Sequence, residues 1–208
     1  MKPLTLVPAA LLCLTLAGCG GAGIVSRSSN AMHDGIATQS PVAALNVTAV
    51  NVRVPADLRV SEANVYYPIA DIVWRGDARG DRHAQVAAIF DAAAAQATAG
   101  PMQGRAVVAD VEVLRFHCLT EKTRIMMGGV YSIRFLLTLR DAQTGQVIDG
   151  PRVVIADANA AGGARALEND ANGLTQKVEV TNRIAQVLRQ ELNLTAPVAP
   201  QALAAAMP

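Results

Sequence analysis

The sequence predicts an α+β fold, a mostly antiparallel sheet with two helices packed on one face. Three observations predict it. Residues 105–116 and 130–140 alternate apolar and polar side chains, the period of a half-buried strand. Asp141-Ala142-Gln143-Thr144-Gly145 then reads as a hairpin loop, which joins antiparallel neighbours. Two stretches, 81–97 and 164–192, instead repeat apolar residues every three or four positions.

In chain order, the first strand is expected at Val47–Val54, stopped by Pro55. Short strands are expected at Leu58 and Val60, at Val65-Tyr66-Tyr67, and at Ile69–Trp74. The turn-forming run 75–80 follows, and its Arg-Gly-Asp triplet is read as turn chemistry. Asp81 or Asp77 can cap a helix to Ala97, whose stripe is Val86, Ile89, Phe90, Ala93 and Ala97. Gly100-Pro101 ends it. In the strand 105–116, Val107, Ala109, Val111 and Val113 share one face. Leu114 and Phe116 switch the phase, which predicts a bulge or a twist. Tyr131, Ile133, Phe135, Leu137 and Leu139 face inward on the next strand. Gln146–Ala156 returns, interrupted at Gly150-Pro151 near an edge. A single long helix is expected over 164–192, burying Leu174, Val178, Thr181, Ala185, Leu188 and Leu192. The predicted order is β-β-β-α-β-β-β-α.

The apolar fraction is 51% and the aromatic fraction 3%, so the core must be built mainly from aliphatic side chains. Charge is balanced, with Lys+Arg 18 against Asp+Glu 17. That balance provides no global field for nucleic acid or an anionic surface. Local patches stay open.

The N-terminus carries the most specific pattern. Lys2 is followed by an uncharged apolar run from Leu4 to Leu16, then Ala17, Gly18 and Cys19. The run is shorter than the roughly 20 residues a bilayer span needs, so it reads as a secretory signal. Leu16-Ala17-Gly18-Cys19 resembles the lipobox of bacterial lipoproteins. The resemblance implies cleavage between Gly18 and Cys19, acylation of the Cys19 thiol, and attachment to a membrane through the lipid. Ala17 and Gly18 fit a narrow peptidase cleft, and Leu16 fills an apolar subsite. Cys13 follows bulky Leu12 and offers no rival site. An ordinary signal peptide cleaved near Gly18 is the competing reading. Several acyl chains, at about 0.8 kcal/mol per buried methylene, make a stable anchor. Gly20 stands where the enterobacterial sorting pattern places the aspartate of inner-membrane retention. The resemblance therefore implies the outer membrane, facing the periplasm.

The predicted organisation is a lipoprotein signal over residues 1–18, a flexible tether over 19–44, an α+β periplasmic domain over 45–195, and a disordered Ala/Pro tail over 196–208. Once Cys13 is removed and Cys19 acylated, Cys118 stands alone. It reads as a small buried hydrophobe or, less simply, a reactive thiol.

No catalytic or metal site is expected, and no cofactor. His33, His83 and His117 lack ligand spacing. Asp110 and Glu112 share a strand face like a carboxylate pair, but Arg134 and Arg140 on the neighbouring strand can neutralise them. No phosphate loop, dinucleotide fingerprint, G-x-S-x-G or H-E-x-x-H occurs. The segment Leu119–Gly129, LTEKTRIMMGG, is expected to be a loop, with Ile125, Met126 and Met127 as candidate partner-binding residues. Either these side chains are exposed for contact, or they tuck under the sheet edge while the glycines make a bulge.

The block Val47–Leu194, above all AVVADVEVLRFHCLTEKTRIMMGGVYSIRFLLTLRDAQTGQVIDGP and the closing helix, resembles an uncharacterised family of small alphaproteobacterial-type lipoproteins. More distantly, its layout resembles the auxiliary lipoproteins of ABC-type intermembrane lipid transport. The resemblance implies a non-enzymatic, lipid-anchored accessory protein of an envelope complex, with an envelope protein as partner. The alternative is a small-molecule or glycan binder with a pocket beside Tyr66, Tyr67 and Trp74.

Overall fold

Alternation over residues 105–141 produces the two longest strands, and every other element is placed by them. The computed structural model describes residues 44–194. Gly18, Cys19, Cys13 and His33 lie outside them, as do the expected signal, the expected tether up to residue 43, and the expected tail. In chain order the elements are β1 (Leu45–Arg53), β2 (Ile72–Val73), α1 (Arg82–Ala97), β3 (Arg105–His117) and α2 (Glu121–Met126). They continue with β4 (Gly129–Asp141), β5 (Val147–Ile155), β6 (Ala158–Ala160), α3 (Ala164–Ala171) and α4 (Gln176–Glu191).

The sheet runs β1-β3-β4-β5, with β2 also on β3 and β6 also on β4. β3 pairs antiparallel with β4, and β4 with β5 and β6. The expectation of a mostly antiparallel sheet needs correction, because β1 and β2 both lie parallel to β3. The cause is the connection. A parallel neighbour needs a crossover, and residues 54–104 provide one that carries α1. Alternation reports which face is buried but not strand direction, so the sequence pattern left this open.

The core face of the sheet is Val107, Ala109, Val111, Val113 and Phe116 on β3, and Tyr131, Ile133, Phe135, Leu137 and Leu139 on β4. α1 and α4 bury against it. Asp81 caps α1, its Oδ1 accepting the Ala84 N–H at 3.1 Å. The predicted stripe Val86, Ile89, Phe90, Ala93 and Ala97 is fully buried. Phe90 meets Phe135 edge-on, with centroids 5.6 Å apart.

The predicted long helix is two helices. Gly173, at φ +76°, stops α3, and Thr175 starts α4 by accepting the Val178 N–H. The buried stripe of α4 is also shifted from the expected one. Val180, Ile184 and Val187 join the expected Ala185, Leu188 and Leu192 in the core, whereas Leu174 is exposed and Val178 and Thr181 are only partly covered. Leu58, Val60 and Val65–Tyr67 are not strands; Val60 makes one isolated bridge to Ile72, and the expected strand 69–74 shrinks to β2.

The predicted bulge is present. Register between β3 and β4 shifts between Val113 and Arg115, leaving Leu114 as the extra residue. The shift returns Phe116 to the core and turns Arg115 and His117 to the opposite face.

Phe135 fills the centre of the core and Met127 touches little. Phe135→Ala should cost about 3–5 kcal/mol of stability by urea unfolding. Met127→Ala should stay within about 0.5 kcal/mol of the parent. Equal losses would show that the apolar end at Met127 is also packed.

Candidate functional site

The predicted loop 119–129 folds around a short helix. Thr120 caps α2, its Oγ1 accepting the Thr123 N–H at 3.2 Å. Only Thr123 and Arg124 face inward. Three successive apolar residues point in different directions around a helix end, so they cannot all be buried on one side. Ile125, Met126 and Met127 are accordingly 54%, 64% and 66% exposed. Of the two readings left open by the sequence, the exposed one is the one the fold adopts. Gly128, at φ +76°, turns the chain into β4 and packs against the backbone of 160–162. A Cβ on Gly162 would fall 1.9 Å from the Gly128 nitrogen.

A second segment lies along α2. Thr120 Oγ1 donates to Val65 O at 2.8 Å, Thr123 Oγ1 to Tyr66 O at 2.8 Å, and the Lys122 N–H to Asn64 Oδ1 at 2.9 Å. Lys122 Nζ sits 4.4 Å from the Tyr66 ring centroid. Exposed Val65 and Tyr66 are thereby brought to the same end of the sheet as Ile125–Met127. The sequence analysis missed this join, because its hydrogen bonds run from side chains to backbone carbonyls and leave no periodicity.

The apolar tip rests on a polar foundation. Arg124 Nη2 donates to Asp170 Oδ1 at 2.7 Å, and Nη1 to Tyr131 Oη at 3.1 Å. The Tyr131 hydroxyl donates to Glu179 Oε2 at 2.5 Å, and Asn169 Nδ2 to Glu179 Oε1 at 3.0 Å. Burial, reinforced by the Glu179 carboxylate, pushes the Tyr131 hydroxyl far above its ordinary range, so it remains a donor. Burial opposes the charge on Arg124, but Asp170, Tyr131 and Glu179 outweigh it and hold the guanidinium charged. The network ties α2, α3, α4 and β4 together, and every group in it is already engaged. Its chemistry is that of a staple under the tip.

The tip lies at the pole opposite the two ends of the described chain. Ala44 O accepts the N–H of Arg105, the first residue of β3, while α2 follows its last. α4 begins beside Leu119, where Gln176 Oε1 accepts the Leu119 N–H, and ends beside β5, where Arg152 pairs with Glu191. β3 has 13 residues. At about 3.3 Å per residue the poles are about 40 Å apart.

The other sequence candidates take structural roles. Trp74 is wholly buried, its indole N–H donating to Asp77 Oδ2 at 2.9 Å, so it forms no pocket with surface Tyr66 and Tyr67. Asp77 also holds Lys177 at 2.9 Å, and Arg75 bridges Glu62 and Glu121, so Arg-Gly-Asp is spent on internal contacts. Asp110 pairs with Arg140 as expected, at 2.7 Å, but Glu112 pairs with Arg53 of β1 and not with Arg134. Cys118 is buried in apolar surroundings, which push its thiol up and keep it protonated. Among the described residues no three His, Cys, Asp or Glu side chains converge as a metal site requires, and no helix is long and apolar enough to cross a membrane.

One family model matches residues 45–207, taking in every strand and helix of the domain. The chain belongs to DUF6778, a family of unknown function. The DUF6778 match begins at Leu45, the first residue of β1. No curated protein and no solved structure matches the chain.

His117 gives a pH test. Burial, aided by the neighbouring Arg115 charge, holds its imidazole below the ordinary 6.5. The unfolded chain therefore takes up this proton at a higher pH than the folded one, so stability falls as pH drops below 6.5. The urea midpoint should be lower at about pH 5.5 than at about pH 7, and His117→Gln should shrink that difference. An unchanged difference in the variant would assign the effect elsewhere.

Proposed function

We propose that this protein is a lipid-anchored accessory protein of an envelope complex, acylated at Cys19 and docking through the apolar tip formed by Ile125, Met126 and Met127 with Val65 and Tyr66. The observation that carries the reading is the position of the tip. It projects from the pole opposite Ala44, the point at which residues 19–44 would join the domain. A domain held from that side presents its apolar end away from the anchor, toward a partner. The lipobox pattern Leu16–Cys19 supports the anchor.

The chemistry of the tip suits such work. Methionine side chains are flexible and polarisable and adapt to an apolar partner surface. Leaving large apolar groups in water forgoes about 1.5–3 kcal/mol for each one fully buried, which a partner can recover. The sheet edges suit it less well. β5 carries Gly150-Pro151 at its middle, and β1 has a register shift at Val47–Ala49, so both edges interrupt strand addition.

Two measurements test the two halves. Cells fed labelled palmitate should incorporate it into the wild-type chain and not into Cys19→Ser; a label retained by Cys19→Ser, or missing from both, refutes the anchor. A partner recovered by crosslinking from solubilised envelopes should be lost with Met126→Asp/Met127→Asp while the variant's unfolding midpoint is kept. Undiminished recovery refutes docking through the tip.

A further inference from the structure

The face of the sheet turned away from α1 and α4 carries an unmatched pair of cations beside an apolar row. Register places Arg115 opposite Arg134, and Arg134 opposite Ile155. The next row is Glu112, Leu136 and Val153, and the one before it ends at His117 and Ser132. Like charges directly opposite one another on a sheet are unfavourable by themselves. Among the described residues neither arginine has a carboxylate within ion-pair distance. The acids on the same face are engaged, Glu112 by Arg53 and Asp110 by Arg140, while Asp71 to one side is held by Arg59.

Arg115 is fixed in place. Nη1 donates to Ala70 O at 3.3 Å, and Nη2 contacts Tyr67 Oη at 3.3 Å and His117 Nδ1 at 2.9 Å. Tyr67 stacks on the His117 ring with centroids 4.8 Å apart, closing that end of the row. Arg134 is exposed, and its side chain makes no hydrogen bond among the described residues. One guanidinium is thus held by its neighbours and the other is free to close on an anion, as in bidentate phosphate recognition. Val153 and Ile155 are exposed beside them, 58% and 56%, and Leu136 is half-covered. Past Leu136 the face dips into a depression of about 460 Å³ bordered by Thr138 and Pro151 and by the ion pairs Glu112–Arg53 and Asp110–Arg140, so the apolar row ends there.

We propose that this face binds an anionic phospholipid, its phosphate between Arg115 and Arg134 and its acyl chains over Leu136, Val153 and Ile155. Charge selects the head and the adjoining apolar row selects the tail. Free phosphate would leave that row in water. A glycan would want an aromatic platform, and Tyr67, the aromatic at this end, is already stacked on His117. The site lies on the sheet face, uses none of Ile125, Met126 and Met127, and requires neither acylation of Cys19 nor a protein partner.

The full chain carrying Cys19→Ser, and so free of its own lipid, is titrated calorimetrically with dihexanoyl phosphatidylglycerol below its micelle threshold. Saturable binding is expected. Arg134→Gln should weaken it about tenfold, since a charge-assisted contact is lost while a partnerless surface side chain leaves the fold intact. Ile155→Ser should weaken it severalfold. Inorganic phosphate should bind far more weakly, and Met126→Asp/Met127→Asp should bind as the parent does. Four results would overturn the site: no saturable binding, equal binding of phosphate and lipid, indifference to Arg134→Gln, or loss of binding on changing the tip.

Discussion

The antiparallel pairing of β3 with β4 is the constraint on which the domain depends. Each strand has 13 residues, and each carries its neighbours on its outer side, β1 and β2 on β3, β5 and β6 on β4. One face of this pair holds the aromatic and aliphatic core that α1 and α4 cover. The bulge at Leu114 is the one irregularity in the pair that changes what the faces display. With unbroken alternation, Leu114 and Phe116 would have faced outward, and Arg115 and His117 would have pointed into the core. Burying an arginine and a histidine there without partners would have cost several kcal/mol. One extra residue instead keeps Phe116 inside, edge-on to Trp74 with centroids 5.6 Å apart, and sets Arg115 and His117 on the opposite face.

The same pair separates the two ends of the molecule. At the far end of β3 the chain makes α2 and turns at Gly128. The segment 64–70 is drawn over it by the hydroxyls of Thr120 and Thr123. Hydroxyl-to-carbonyl bonds of this kind satisfy the loop backbone without requiring a strand, so Val65–Tyr67, β-prone by composition, stay irregular. The Arg124–Tyr131–Glu179–Asp170 network then anchors the tip from beneath. A buried cation with matched acceptors is costly to disturb, because removing one partner strands the others. The apolar side chains above it are thus exposed on a rigid base.

Elements whose burial follows a single period were legible in the sequence. The stripe of α1 could be read directly, with its cap narrowed to Asp81 or Asp77, as could the inward residues of β3 and β4, the phase switch at Leu114 and the edge position of Gly150-Pro151. What escaped depends on information that periodicity lacks. Strand direction is set by the crossover carrying α1, so the parallel pairing of β1 was not visible. The division of the last helix was signalled by Asn172-Gly173, but Leu174 and Val178 extended an apparent stripe across the break. α2 is too short to show a period. Of the candidate residues, Ile125, Met126 and Met127 were identifiable because three successive apolar residues beside two glycines fit neither strand nor helix burial. Arg134 was set with Arg140 against Asp110 and Glu112 because all four were known to face outward. Which strand flanked β3 on its other side was not, and Arg53 of β1 takes the Glu112 carboxylate.

That reassignment has a consequence for the open face. Had β1 lain elsewhere, Glu112 would have been free to neutralise Arg134, and the face would have been a plain solvated surface of paired charges. Because β1 runs parallel to β3 in a register that sets Arg53 against Glu112, that carboxylate is spent on β1 and Arg134 is left without it, facing β5. The exposed apolar side chains of this face, Val153 and Ile155, lie on that same β5 side. The crossover that hid strand direction from the sequence is therefore also what makes the face amphiphilic, cationic at Arg115 and Arg134 and apolar beside them.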